Sequence, residues 1–325
     1  MFCGRRLKKS TFSRKKCTPR DNPGYAYAHT DHKLDSNNAL DNAEVQKCCL
    51  CTDGQVVHTL PEGPPVACVT TLGEQIYVLR TKGRDQVEVY DINTHRLQRC
   101  ITVPNARGFI DMISCEHFLC LYVSDHVVQC VHSLGLQGNA TRWPVSDRPW
   151  CLSVNAAHNV LVTCDKVRKI KEFSPRGDLL RDLTLPDEVI NPWHAIQLTT
   201  GQFIVCHGRP DDAVHRVCTV SADGREIVRS HGGQRGSDTG QYNVPARLAV
   251  DNNEFVFVVD FNNRRVTLLS PTLNHIRQLV SPDQVKWGPH RLCLDVRRRR
   301  LYLTDCEWSD KNRSFTTGRI VVFNV

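Results

Sequence analysis

Seven side chains with binding chemistry stand directly after a marker position that recurs along the chain. The marker is the residue just before an apolar run, and it is Pro65, Ala106, Pro149, Pro192, Pro245 or Pro289. The two residues that follow the markers include Arg107, Trp150, Trp193, His194, Arg247, His290 and Arg291. Trp and Arg are common anchors of protein contacts, and they also stack on nucleotide bases and pair with phosphates. This set predicts a surface that binds a macromolecule, although tryptophans packed between repeats and capped by arginines would give the same pattern.

Four aspartates occupy a second recurring position, at the end of the second apolar run of a unit. They are Asp125, Asp165, Asp260 and Asp305, and Arg80 and His207 stand at this position in the other two units. A ring of carboxylates has the chemistry to hold a cation, whereas a single Asp in a turn accepts backbone N–H groups. We predict the second, structural role for these four residues.

The signals for metal or catalytic chemistry are weak. His194 and His290 share the marker register, but a catalytic zinc normally takes three protein ligands. Cys48 and Cys51 form an isolated C-x-x-C without a second pair. The chain contains no phosphate-binding loop, nucleophile elbow or H-E-x-x-H motif. We therefore predict no bound metal, no cofactor and no enzymatic activity.

The spacing of the markers indicates six structural repeats. Successive markers are 41, 43, 43, 53 and 44 residues apart, a period typical of solenoids and propellers. The clearest unit contains four short apolar runs, at residues 244–251, 254–260, 264–271 and 275–280. Such runs, separated by Gly, Pro, Asn and Asp, are typical of antiparallel strands, and the sequence shows no long stretch of helical period. The sequence predicts an all-β, six-bladed β-propeller.

The last unit has three strands before the chain ends, and a segment ahead of the first unit resembles the missing fourth. Residues 51–61 (CTDGQVVHTLP) resemble the turn and outer strand of the third unit (SPRGDLLRDLTLP). A propeller closes best when one blade is shared between the two chain ends. We predict that residues 55–60 complete the last blade. The ring then brings all residues that follow a marker to one rim of the central channel.

Composition divides the chain into two regions. Residues 1–44 begin basic, become polar and show no sustained period, which predicts a disordered tail before a propeller at residues 45–325. The net charge is +8, and residues 1–20 hold eight basic side chains and no acidic one, so the remaining 305 residues sum to zero and give no general field to steer nucleic acid. Cysteines such as Cys120, Cys164 and Cys206 stand in apolar runs, and the sequence has no secretory or membrane-spanning segment. We predict a monomer in a reducing, cytoplasmic compartment.

One unit resembles a known repeat family. Residues 232–271 are similar to an NHL repeat, which has a Gly-rich lead, an aromatic residue, Pro, two strands that each end in Asp, then Asn-Arg and a third strand. The resemblance implies a propeller such as the one at the C-terminal end of tripartite-motif proteins, where a RING finger precedes it. A RING takes eight Cys or His ligands, and residues 1–50 offer Cys3, Cys17, His29, His32, Cys48 and Cys49. We therefore expect no ubiquitin-ligase activity in this chain itself.

Three hypotheses for function follow. The first is a protein-binding scaffold, with a role as substrate adaptor for a separate ubiquitin ligase implied by the resemblance. The second is single-stranded RNA binding at the Trp and Arg rim, which the resemblance also allows. The third is a zinc-dependent lyase, because the run PHRLCLDVRRRRLYLTD is similar to part of the peptidylglycine amidating lyases.

Overall fold

The computed structural model describes residues 54–81, 86–312 and 314–325. Within these residues the chain forms 24 strands arranged in six four-stranded antiparallel sheets. The predicted all-β, six-bladed propeller is therefore confirmed. The predicted tail at residues 1–44, the isolated pair Cys48 and Cys51, and the first residues of the predicted propeller lie outside the described residues.

The strands follow one another from the channel outward in each blade. The first blade holds β2 (Val66–Leu72), β3 (Gln75–Arg80), β4 (Gln86–Asp91) and β5 (Leu97–Thr102). The second holds β6 (Phe109–Cys115), β7 (Cys120–Asp125), β8 (Cys130–Gly135) and β9 (Ala140–Pro144). The third holds β10 (Cys151–Val154), β11 (Val160–Cys164), β12 (Lys169–Phe173) and β13 (Leu179–Thr184).

The remaining blades have the same order of strands. The fourth holds β14 (Pro192–Gln197), β15 (Phe203–His207), β16 (Val214–Val220) and β17 (Ile227–Gln234). The fifth holds β18 (Pro245–Val250), β19 (Val256–Asp260), β20 (Arg265–Leu269) and β21 (His275–Val280), which are the four strands expected from the clearest repeat. The sixth holds β22 (Pro289–Asp295), β23 (Arg300–Ser309) and β24 (Ser314–Asn324) together with β1 (Gln55–Thr59).

The sixth blade joins segments from the two ends of the described chain. β1 pairs antiparallel with β24, so that Gln55 lies opposite Asn324 and Thr59 lies opposite Val321. Just beyond β1, the Leu60 N–H donates to the Ile320 carbonyl at 2.9 Å. β1 thus occupies the outer position that the fourth strand takes in the other five blades.

Burial follows the position of a strand in its blade. Every residue of β11 and β19, which are second strands, is buried, while the outer strand β5 is mostly exposed. Each first strand packs against the first strand of the next blade, and β22 packs against β2, so the sheets close a ring. Cys120, Cys164 and Cys206 are buried in the apolar layers between blades, as predicted, and they are free thiols.

The hairpin of β23 and β24 is longer than the sequence indicated. The sequence placed the end of β23 at Asp305, but the strand continues to Ser309, which pairs with Ser314. Trp308 lies opposite Phe315 in this extension. The extra residues carry aromatic side chains to the channel mouth. Among the described residues, no helix is long and apolar enough to cross a membrane.

Candidate functional site

The central channel contains two cavities, one at each end of the innermost strands. The cavity at the end where these strands begin has a volume of about 790 Å³ and is lined by residues of all six blades. We call it the aromatic cavity, after Phe109, Trp150, Trp193, Phe261, Trp308 and Phe315. The cavity at the opposite end has a volume of about 500 Å³. Buried charged side chains separate the two.

The seven residues predicted to form a binding rim fall into three groups. Trp150, Trp193, His290 and Arg291 line the aromatic cavity. His194 and Arg247 line the opposite cavity. The Arg107 side chain is exposed and lies outside both linings. The structure therefore brings four of the seven together in one cavity.

The aromatic side chains of the cavity form two groups of rings in contact with one another. The Trp150 and Trp193 rings lie 5.6 Å apart between centroids. In the other group, the Phe315 ring lies 4.6 Å from the His290 ring and 5.2 Å from the Trp308 ring. The sequence analysis missed the phenylalanines and Trp308. Phe261 could have been found from the sequence, because it directly follows Asp260, which marks the end of a second strand. Trp308 and Phe315 could not, because they lie in the part of the β23–β24 hairpin that the sequence did not predict.

A buried ion cluster, formed by Asp111, Arg247 and Arg291, lies between the two cavities. The Asp111 side chain is fully buried, and its Oδ2 accepts hydrogen bonds from Arg247 Nη1 and, at 2.7 Å, from the Leu152 N–H. Arg291 Nε lies 3.7 Å from Oδ1, and the Cys68 thiol donates to the same oxygen at 3.1 Å. We call these three charged residues the central ion cluster.

Charge balance explains the ionisation of the central ion cluster. Burial opposes the charged form of Asp111, but Arg247 and Arg291 outweigh it, and the pKa of Asp111 is lowered. Burial likewise disfavours the charged form of Arg247, and Asp111 more than compensates, so the pKa of Arg247 is raised. The cluster therefore holds two positive charges and one negative charge.

The two arginines differ from the exposed anchors that the sequence indicated. Arg247 is 2% exposed and Arg291 is 1% exposed. A β-bulge at the start of β18 and another at the start of β22 locally disrupt the strand register where these residues follow their markers. Their side chains meet Asp111, which the sequence analysis did not single out. Asp111 could have been noticed as the one charged residue in the mostly apolar strand β6. A buried charge without a partner is costly, so its position predicts a buried ion pair.

The two histidines are neutral and hydrogen-bonded. His194 Nε2 donates to the Leu152 carbonyl at 3.0 Å, and its Nδ1 accepts from the Leu248 N–H at 3.3 Å. His290 Nε2 accepts from Arg291 Nη1 at 2.9 Å. Burial, with nearby arginines adding to it, places the pKa of both histidines well below the usual value. In the described part of the chain, no group of three or more His, Cys, Asp or Glu side chains is arranged to hold a metal ion.

The strand-end aspartates accept hydrogen bonds from loops. Asp305 accepts the Trp287 and Gly288 N–H groups, and Asp125 accepts those of Arg107 and Val127. Asp260 accepts the Asn243 N–H at 2.7 Å, and Asp165 is paired with the Arg209 guanidinium. Three of the four carboxylates thereby join the end of a second strand to the loop that enters the same blade.

Comparisons with known proteins give likeness in structure. No protein-family model matches the chain, and none of the curated proteins matches it in sequence. A streptogramin B lyase structure superposes with a TM-score of 0.56 at 11% identity, covering 81% of this chain and 85% of that chain. Virginiamycin B lyase from Staphylococcus aureus gives 0.56 at 8% identity, covering 82% and 98%. The Cps50 (Swd1) β-propeller domain from Myceliophteria thermophila gives 0.54 at 12% identity, covering 84% and 99%.

The prediction that the chain is not an enzyme is overturned by this comparison. Two of the similar structures are lyases, so the fold of this chain is one on which catalysis occurs. At 8% and 11% identity the likeness shows the fold alone, and the reaction of those lyases stays with those proteins.

Proposed function

We propose that this chain is a protein-binding propeller whose partner docks at the aromatic cavity. The observation that carries the proposal is a concave surface that all six blades line and to which five of them contribute aromatic side chains, with Trp308 at its edge. The Trp308 side chain is 46% exposed, and its Nε1–H donates to Asp310 at 2.9 Å. Exposed tryptophans around a cavity are the side chains that most often anchor a protein partner.

Charge at the mouth supports a protein partner over RNA. Asp211 and Asp310 are exposed and line the aromatic cavity. A polyphosphate chain would meet their repulsion on entry. Arg247 and Arg291, which the RNA hypothesis expected to pair with phosphates, are held on Asp111 below the surface. Of the three arginines in the predicted rim, this leaves Arg107 with an exposed side chain for RNA phosphates.

The resemblance to NHL repeats suggests a more specific role, that of a substrate adaptor in ubiquitin ligation. The similarity of residues 232–271 to an NHL repeat supports a propeller of the kind found in tripartite-motif proteins. In that setting the bound protein would be the substrate of a ubiquitin ligase supplied by another chain. The third hypothesis, a zinc lyase, draws no support from His194, because hydrogen bonds occupy both of its ring nitrogens.

Site-specific photo-crosslinking tests the proposal. The full chain would carry p-benzoylphenylalanine in place of Trp308 or, as the matched control, in place of Phe118. Phe118 has the same exposed fraction of 46% but lies in the turn between β6 and β7, at the opposite end of the channel. We expect a discrete protein crosslink from position 308 that resists RNase and is missing from position 118. Crosslinks that disappear with RNase, or equal crosslinks from both positions, would overturn the proposal.

A further inference from the structure

The aromatic cavity is lined by two residues whose ring N–H donors have no acceptor among the described residues. These donors are Trp150 Nε1 and His290 Nδ1, which are buried atoms. Arg291 lines the same cavity, and its Nε lies 3.7 Å from Asp111 Oδ1. Buried donors are rarely left unpaired, because an unmade hydrogen bond to a buried group costs about 1–3 kcal/mol. Two such groups beside the Arg291 guanidinium indicate a place where a ligand supplies the acceptors.

The protonation state of His290 follows from its neighbour. A guanidinium has no acceptor, so Arg291 Nη1 is the donor in its 2.9 Å contact with His290 Nε2. The Nε2 atom therefore carries the lone pair, and the proton of the neutral ring is on Nδ1. Burial and the adjacent Arg291 keep the ring neutral by lowering its pKa. His290 Nδ1 is thus a donor, like the indole of Trp150 and the guanidinium of Arg291.

The charge below the cavity favours an anion. In the ion pairs of the described residues, Asp111 is the one carboxylate that meets Arg247 or Arg291, which leaves one positive charge uncompensated. The thiols of Cys68 and Cys151 add no negative charge, because burial raises the pKa of both. A buried, unbalanced charge is costly unless a counter-charge comes close. A single anionic group at the floor of the cavity would balance it.

We propose that the aromatic cavity binds a carboxylate of the docked protein, with Trp150 and His290 donating to its oxygens and Arg291 supplying positive charge beside them. This proposal rests on the proposed function and gives the chemistry of the segment that enters. The carboxylate belongs to an Asp or Glu side chain or to the C-terminus of the partner, and an aromatic or apolar neighbour packs on Trp193 and Phe315. The single uncompensated positive charge of the central ion cluster matches the charge of one carboxylate. A chain of phosphates carries several negative charges, which Asp211 and Asp310 at the mouth would repel.

Titration of the full chain with capped dipeptides tests this proposal. Acetyl-Glu-Phe-amide carries a side-chain carboxylate, acetyl-Gly-Phe with a free C-terminus carries a terminal one, and acetyl-Gln-Phe-amide is the neutral analogue. Binding is followed at the indole N–H resonance of Trp150 in the ¹⁵N NMR spectrum, assigned by its loss in Trp150→Phe. We expect one of the charged peptides to shift this resonance downfield and to bind at least about tenfold more tightly than the neutral one, since a hydrogen bond to a charged group contributes about 1.5–3 kcal/mol.

A matched pair of variants separates the cavity from the fold. Trp150→Phe keeps an aromatic ring but removes a donor. Because this variant lacks the indole resonance, its binding is measured by titration calorimetry, and we expect severalfold weaker binding of the charged peptide and unchanged binding of the neutral one. Trp143→Phe removes another buried indole N–H, which has no acceptor in the described part of the chain and lies outside both cavities, and we expect unchanged binding. Equal binding of charged and neutral peptides, or binding of inorganic phosphate with neither carboxylate peptide, would overturn the carboxylate site. An RNase-resistant crosslink at position 308 would still support the proposed function in that case.

Discussion

Asp111 and Arg247 are 136 residues apart in sequence and form a buried ion pair at the centre of the channel. Asp111 belongs to the second blade and Arg247 to the fifth, which lies across the ring. Asp111 also meets Cys68 of the first blade, Leu152 of the third and Arg291 of the sixth. One carboxylate thus ties five blades together through contacts that no single repeat contains.

Removal of this carboxylate charge is expected to destabilise the propeller strongly. Asp111→Asn keeps the size of the side chain but leaves Arg247 and Arg291 buried without a counter-charge. Loss of one partner from a buried ion pair costs about 3–5 kcal/mol, and we expect the free energy of unfolding in urea to fall by that amount. The control is Asp223→Asn, in an exposed turn, with an expected change within about 0.5 kcal/mol. Similar stabilities for the two variants would contradict the role given to Asp111.

Stability is expected to fall as the pH decreases from 7 to 5, in part because of His207. This side chain is fully buried, and burial, with Arg216 adding to it, lowers the pKa of His207 to about 4. An unfolded His has a pKa of about 6.5, so below that pH the unfolded chain binds a proton that the folded chain does not, and stability rises with pH in this window. The loss between pH 7 and 5 is about 2 kcal/mol for a single group.

The variant His207→Leu isolates this contribution. Urea unfolding of the full chain at pH 7 and pH 5 is expected to show a smaller loss in the variant than in the unmodified chain. The comparison uses the difference between the two pH values, so a general loss of stability in the variant cancels. If the two proteins lose the same free energy between pH 7 and 5, His207 is not the group that titrates.

Most of the fold could be predicted from the sequence, because each blade of a propeller repeats the same short pattern of strands and turns. Each blade contains four short apolar runs, and the marker residues recur at nearly constant spacing, so the number of blades and the strands of the fifth blade followed directly. The extension of β23 beyond Asp305 was missed because Glu307, Ser309 and Asp310 interrupt the apolar pattern. A protruding hairpin buries little, so its sequence carries no alternation to recognise.

The candidate site was less accessible because it depends on contacts between blades. Trp150, Trp193, His290 and Arg291 share the marker register in the sequence, and all four line the aromatic cavity in the structure. The register did not show that Arg291 would be turned inward, since that outcome depends on Asp111 in a different repeat. A single sequence gives the position of a residue within its repeat, but pairing across the ring is a tertiary property.

The segment before the first blade is expected to stabilise the sixth blade. Leu60 is fully buried beside Ile320 and Val322, whereas Val57 in the neighbouring strand β1 is 40% exposed. Leu60→Ala is expected to lower the free energy of unfolding by about 2–5 kcal/mol, because it leaves a cavity in the core. Val57→Ala removes exposed methyl groups, and we expect a change of less than about 0.5 kcal/mol in urea unfolding. Equal effects would show that the contact of Leu60 with β24 adds no stability.

Loss of the exposed indole at the channel mouth is expected to impair binding without affecting the fold. Trp308 lies on the hairpin extension, contacts Phe315 and is 46% exposed, so Trp308→Ala removes little core packing. Truncation of an interface anchor costs about 2 kcal/mol or more, and we expect at least about a tenfold weaker affinity for the protein crosslinked at this position. Phe118→Ala, at the opposite end of the channel, is expected to keep full affinity. Titration calorimetry with the purified partner measures both. Because the two side chains are equally exposed, a loss of affinity in both variants would point to non-specific hydrophobic adhesion instead of docking at the aromatic cavity.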